Sequence, residues 1–154
     1  MDIQQSLSVL NEEQYAAVVH EGSPLLILAG AGSGKTRVIT TKIAYLINQK
    51  SVEPYSILSV TFTKKAANEM RQRAVAMEER AQSSVIRTFH SFGSWFLRKF
   101  SQEVGLIPSF TVYDDSDMEV LLKKAVPSLS SKEAKLAAHQ ISLAKDYFLT
   151  PEDD

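Results

Sequence analysis

The sequence predicts an α/β fold: a P-loop parallel sheet flanked by helices, followed by a small helical appendage. Three observations predict it. Strand-sized apolar runs alternate with helical patterns three times in the first hundred residues. Beyond Tyr113 the patterns are helical. The first strand-to-helix junction is a glycine-rich turn ending in Lys35-Thr36, the form of loop that such folds use to cradle phosphate. These patterns divide the chain into 1–103, an α/β core, and 104–154, a helical appendage.

Asn11 and Gln14 have the spacing of a capping box, and the helix they start runs through Tyr15, Ala16, Val18 and Val19 to Gly22-Ser23-Pro24. Leu25 to Leu28 is wholly apolar, which predicts a central parallel strand covered on both faces. From Gly34 the pattern turns helical, with Ile39, Ile43 and Ile47, and ends near Asn48. Pro54-Tyr55 marks a loop before a second strand, Ile57 to Phe62. A helix with Ala66, Met70, Ala74 and Met77 on one face follows, and Glu69, Arg71, Gln72 and Arg73 lie opposite. Val85 to Phe89 fits a third strand. The next helix carries Phe92, Trp95, Phe96 and Phe100 at helical spacing, which predicts a core-facing stripe.

Beyond Gly105, Leu106 to Tyr113 is weakly patterned. Two helices follow, with capping boxes at Ser116/Glu119 and Ser130/Glu133. The first is expected to bury Met118, Leu121, Leu122 and Ala125, the second Ala134, Ala137, Ile141 and Ala144. Thr150-Pro151-Glu152-Asp153 has the form of a helix start, with an N-cap threonine, proline at the first position and acids in the first turn. A helix that starts as the sequence ends is expected of an N-terminal piece of a longer protein.

Composition narrows the chemistry. The 154 residues are 44% hydrophobic and 23% charged, ordinary values for a folded globular chain. Cysteine is absent, which excludes disulfides, thiolate metal sites and cysteine nucleophiles. His20, His90 and His139 are too scattered for a metal-ligand motif. With a polar N-terminal end and no apolar run of membrane length, the expected location is cytoplasmic and no membrane partner is expected. A net charge of −1 gives no bulk attraction for nucleic acid, so any such surface must be local.

The strongest chemical signal is Ala29-Gly30-Ala31-Gly32-Ser33-Gly34-Lys35-Thr36, a Walker A pattern with alanine at its first position. Such a turn lets backbone N–H groups converge on phosphate oxygens at a helix N-terminus. Lys35 would reach the β- and γ-phosphates of a nucleoside triphosphate, and the Thr36 hydroxyl would ligate magnesium. The cofactors expected are therefore ATP and Mg. A Walker B carboxylate should stand at the end of another strand, and Phe110 to Asp115 offers one candidate. The adjacent Ser116/Glu119 box favours a different reading, in which Asp114 and Asp115 lead into a helix.

Two further segments sit where a strand meets a helix, the edge at which α/β sheets bind ligands. Val60-Thr61-Phe62-Thr63-Lys64-Lys65-Ala66-Ala67 places an aromatic ring beside hydroxyls and lysines, as single-stranded nucleic acid requires. Equally, Phe62 fits a core position and the lysines a solvated helix start. Thr88-Phe89-His90-Ser91-Phe92 stands in the corresponding place after the third strand.

Together with Leu10 to Gln14, the P-loop through Arg37, Val60 to Met70 and Thr88 to Phe92 resemble, in order and spacing, the UvrD/PcrA/Rep group of superfamily 1 DNA helicases. The resemblance is strong to about residue 100 and looser beyond. It implies a partial RecA-like domain followed by the start of an inserted helical subdomain. It also implies that Gln14 reads adenine, that Arg37 packs beside it, that alanine at position 29 is usual, and that Phe62, Thr63, Lys64, Thr88, Phe89 and His90 contact DNA. Lys64 stands where asparagine is common. The family's Walker B strand, water-positioning glutamine and arginine fingers lie downstream, so these 154 residues are expected to bind nucleotide without hydrolysing it. The partners implied are single-stranded DNA and duplex junctions. A helicase-nuclease subunit of the AddA or RecB kind shares these early motifs, and a stand-alone nucleotide- or DNA-binding module remains a third reading.

Overall fold

The computed structural model describes residues 2–153; the two chain ends, Met1 and Asp154, lie outside the described residues. The chain forms two compact units, one through Phe100 and one from Ser101.

The first unit begins with α1 (Ile3–Ser8), which the sequence reading missed. Its signal is the one that marks the next helix: Asp2 caps it by accepting from the Gln5 amide at 2.9 Å. Then come α2 (Glu12–Val19), α3 (Lys35–Gln49), a 3-10 turn (Pro54–Ser56), β1 (Leu58–Thr61), α4 (Lys64–Met77), a second 3-10 turn (Glu79–Ser83), β2 (Val85–Thr88) and α5 (Phe89–Lys99). The strands pair in parallel, Leu58 against Val85 through Thr61 against Thr88, so both run out at the same edge. α4 is the crossover between them, as a parallel pair requires.

Burial follows helical period more closely than the four-residue spacing of the isoleucines. Ile43 and Ile47 are buried and join Met70, Ala74, Ala81 and Ile86 in the core, whereas Ile39 is 41% exposed. Successive steps of four overshoot a 3.6-residue turn, and over two steps Ile39 drifts about 80° from Ile47. On α4 the buried positions are Ala67, Met70 and Ala74, with Ala66 and Met77 half-buried.

Polar anchors tie these elements together. The Lys42 ammonium donates to the carbonyls of Val18 at 3.0 Å and His20 at 2.6 Å, meeting the orphan acceptors at the end of α2. Burial there pulls its pKa down, against the raising effect of Glu21. Arg71 reaches from α4 to the Ile86 carbonyl of β2. Glu78 accepts from Arg80 Nε at 2.9 Å and Asn48 Nδ2 at 2.9 Å, and these bonds, the arginine first, hold its carboxyl at about 2.

Three expectations need correction in this unit. Leu25 to Leu28 is not a strand: it has no ladder partner among the described residues, and Leu26 and Leu28 are 81% and 86% exposed. Apolar composition suits a central strand, but a parallel strand forms only through ladder bonds to a neighbour's edge, and among the described residues the free edges of β1 and β2 receive none from this segment. The sheet among the described residues is thus two-stranded, where the sequence patterns predict three strands. The aromatic stripe of α5 is not core either. Phe96 is 43% exposed and Phe92, Trp95 and Phe100 are half-buried, packing ring on ring along the helix. Arg87 and Lys99 each stand 5.4 Å from the Trp95 ring, a cation–π arrangement.

The second unit contains α6 (Asp115–Ala125) and α7 (Ser131–Asp146), packed on each other. The capping box of α7 is the expected Ser130/Glu133. That of α6 is Asp114/Asp117, two residues earlier than Ser116/Glu119. Asp114 accepts from the Asp117 amide at 2.9 Å and from Ser116 Oγ at 2.7 Å, and these bonds lower its pKa. Phe110 to Tyr113 is irregular, so there is no strand end for a Walker B carboxylate here, and Asp114 is a helix cap. α7 buries Ala134 and half-buries Ala137, Ile141 and Ala144, while on α6 Leu121 and Ala125 stay exposed. Thr150 to Asp153 forms a turn in which Asp153 Oδ2 accepts from the Thr150 amide at 2.7 Å.

Candidate nucleotide and nucleic-acid site

The loop before α3 takes its shape from two glycines. Gly32 and Gly34 have φ of +77° and +88°, the left-handed region that side chains resist. Gly34 is also the N-cap of α3, and lacking a side chain it leaves the first amides of that helix without a side-chain cap. An uncapped helix N-terminus carries partial positive charge and unsatisfied N–H donors, which suit an anion.

Lys35, the first residue of α3, folds back over the loop. Its Nζ donates to the carbonyls of Ala29 at 2.7 Å and Gly30 at 2.6 Å, and it pairs with no carboxylate among the described residues. Thr36 follows, half-buried, its hydroxyl bonded to no other described residue. Ser33 Oγ donates to the Gly30 carbonyl at 2.8 Å and closes the turn. A Cβ at Gly30 would meet nothing within 4 Å, so the loop's mouth is open to a ligand.

Gln14 stands against this loop. Its Oε1 accepts from the Asn11 amide at 3.2 Å, completing the box on α2, and its Nε2 donates to the Ser33 carbonyl at 3.0 Å. One N–H and one lone pair remain for another partner. Gln14, Ala29, Ser33 and Lys35 line one cleft with Ile27 and Val38. Arg37 is not on it. That side chain borders a separate groove with Val9, Thr40 and Arg73.

The two segments after the strands meet at one edge. Because β1 and β2 are parallel and in register, Phe62 and Phe89 emerge side by side, ring centroids 5.4 Å apart. Phe62 is 86% exposed and Phe89 50%, so neither is a core residue. Lys64 and His90 are exposed in the first turns of α4 and α5. Thr63 is exposed and caps α4 by accepting from the Ala66 amide at 3.1 Å. Thr88 differs: it is buried, and its Oγ1 is engaged with Ser91 in the cap of α5. The sequence located each phenylalanine at a strand end. Their contact depends on the strand pairing, which no local pattern states.

A family model described as the UvrD/REP helicase N-terminal domain matches residues 10–154. The chain belongs to that family. Relatives of this UvrD/REP helicase N-terminal domain include the ATP-dependent DNA helicase PcrA of Staphylococcus epidermidis, 44% identical over 149 residues, 94% of the chain and 20% of that protein. PcrA of Staphylococcus aureus is 40% identical over 152 residues, 96% of the chain and 21% of that protein. A probable DNA helicase II homolog of Mycoplasma capricolum is 46% identical over 127 residues, 82% of the chain and 18% of that protein. The chain thus spans about a fifth of the length of these relatives. No helix among the described residues is long and apolar enough to cross a membrane.

Proposed function

We infer that this domain is the phosphate-binding part of an ATP-driven motor that moves along single-stranded DNA and opens duplex junctions, in cytoplasmic replication or repair. The observation that carries the reading is Lys35: an ammonium without a carboxylate partner, held over a loop at the uncapped N-terminus of α3. The names of the relatives support the same reading.

Magnesium ATP, when bound, supplies the free energy that drives the motor. Lys35 exchanges two carbonyl oxygens for phosphate oxygens, a stronger charge-assisted bond. The amides of Gly32, Gly34, Lys35 and Thr36 would present donors to the same anion, the Ser33 amide being turned to the Gly30 carbonyl, and the Thr36 hydroxyl would hold the magnesium. Gln14 keeps a free N–H and a lone pair for adenine, and Arg37 is assigned to the same base by family resemblance alone. By family resemblance the Walker B carboxylate, the water-positioning glutamine and the arginine fingers belong to parts of the motor beyond these residues. The 154 residues are accordingly proposed to bind nucleotide without turning it over.

Phe62 and Phe89 form the stacking platform for bases, with Lys64 and His90 beside it for phosphates. Thr63 and Thr88 serve this surface as the caps that set α4 and α5. The test is unwinding of a tailed duplex by the full-length protein with magnesium ATP. Activity that disappears in Lys35→Ala, with single-stranded DNA binding retained, supports the motor; unwinding at the wild-type rate by Lys35→Ala overturns it.

A further inference from the structure

Gln14 is placed to do more than read a base. Its carboxamide joins two elements: Oε1 accepts from the Asn11 amide at 3.2 Å and Nε2 donates to the Ser33 carbonyl at 3.0 Å. The two partners fix which end is which, since an amide N–H needs an acceptor and a carbonyl needs a donor. The same Nε2 lies 2.9 Å from where a Cβ on Gly34 would stand, so the side chain packs on the loop at its left-handed residue. The backbone between Ser33 and Gly34 is the turn that aims the amides opening α3.

We propose that Gln14 is a positioning residue for the phosphate loop: its bond to the Ser33 carbonyl holds the loop in its anion-receiving shape, whatever base the nucleotide carries. This rests on the phosphate-cradle reading of the loop. The bond is made by the protein alone, so it orders the loop before a ligand arrives and lowers the ordering cost of binding. Adenine would occupy only the donor and lone pair left over. Loss of Gln14 therefore weakens binding of every polyphosphate, not of adenine nucleotides alone.

Inorganic tripolyphosphate with magnesium, which has no base, separates the two roles. Its affinity is measured by calorimetry in the full-length protein, for wild type, Gln14→Met, Gln14→Glu and Asn11→Ala, with ATP in parallel. Met and Glu both remove the donor to Ser33, and only Glu adds charge. Asn11→Ala deletes the side-chain half of the α2 cap and leaves the pin intact. The proposal expects tripolyphosphate affinity to fall roughly three- to tenfold in Gln14→Met, the size of one lost hydrogen bond. It expects a fall at least as large in Gln14→Glu and wild-type affinity in Asn11→Ala. Wild-type tripolyphosphate affinity in Gln14→Met, with ATP alone weakened, overturns it and leaves the cradle standing. An equal loss in Asn11→Ala also overturns it, because the cap would then be responsible. If wild type binds neither ligand, the cradle reading itself fails and the proposal with it.

Discussion

Replacing glycines one at a time by alanine should produce a graded loss of stability along the phosphate loop. Gly30 has no positive φ and open space where a Cβ would stand. Gly30→Ala should therefore be neutral, or stabilising by about 0.5 kcal/mol through a less flexible unfolded chain. Gly32 has open space but a φ of +77°. Alanine there incurs the left-handed penalty alone, about 1–2 kcal/mol. Gly34 adds a contact: with φ at +88°, its new Cβ would lie 2.9 Å from Gln14 Nε2. The glutamine must move, and its bond to Ser33, about 1 kcal/mol, is lost as well. Gly34→Ala should cost about 2–3 kcal/mol. Urea unfolding followed by circular dichroism reads these differences directly. In the background of Gln14→Ala the additional cost at Gly34 should shrink to that of Gly32, a coupling of about 1 kcal/mol. A Gly34→Ala protein as stable as Gly30→Ala would refute the assigned loop geometry, and additive behaviour with Gln14→Ala would refute the contact.

Other parts of the structure give three further outcomes. Glu78 titrates at about 2 in the folded protein against 4.5 ordinarily, so its contribution is complete above pH 4.5 and disappears as pH falls through 2. The full shift corresponds to about 3 kcal/mol. Arg80 is more than half exposed, and solvent screening reduces this to on the order of 1 kcal/mol. Unfolding free energies measured from pH 6 to pH 2 should fall less steeply in Glu78→Gln, and identical slopes would contradict the pairing. At the sheet edge, Phe62→Ala should weaken single-stranded DNA binding by about 1–3 kcal/mol with little change in salt dependence. Lys64→Ala should instead flatten the salt dependence by about one phosphate contact. Fluorescence titrations at several salt concentrations distinguish them, and an unchanged affinity in Phe62→Ala would remove the stacking platform.

What could be read from the sequence was local. The boxes at Asn11/Gln14 and Ser130/Glu133 involve residues three apart, and both form as expected. The α6 box was ambiguous because Asp114 and Ser116 can each cap a helix, and the sequence offers an acid three residues after both. Asp114 prevails, with Asp117 completing the box and Ser116 donating to the Asp114 carboxylate. Leu25 to Leu28 failed for a different reason: strand formation is a property of pairs, and composition reports only one member. The same non-locality hid the contact between Phe62 and Phe89, which exists because β1 and β2 are in register. At the loop before α3, Gln14 was assigned by resemblance, and Gly34 and Lys35 by spacing. Neither could reveal that Lys35 turns back onto the Ala29 and Gly30 carbonyls or that Gln14 holds Ser33.

We propose that the loop from Ala29 to Thr36 receives the phosphates of a nucleotide and that Lys35 grips them. Equilibrium binding of magnesium ATP to the full-length protein and to Lys35→Ala, by calorimetry, tests it most directly. Binding should be saturable and fall at least tenfold in the variant, while urea unfolding shows the variant still folded. Equal affinity in the two proteins would contradict it.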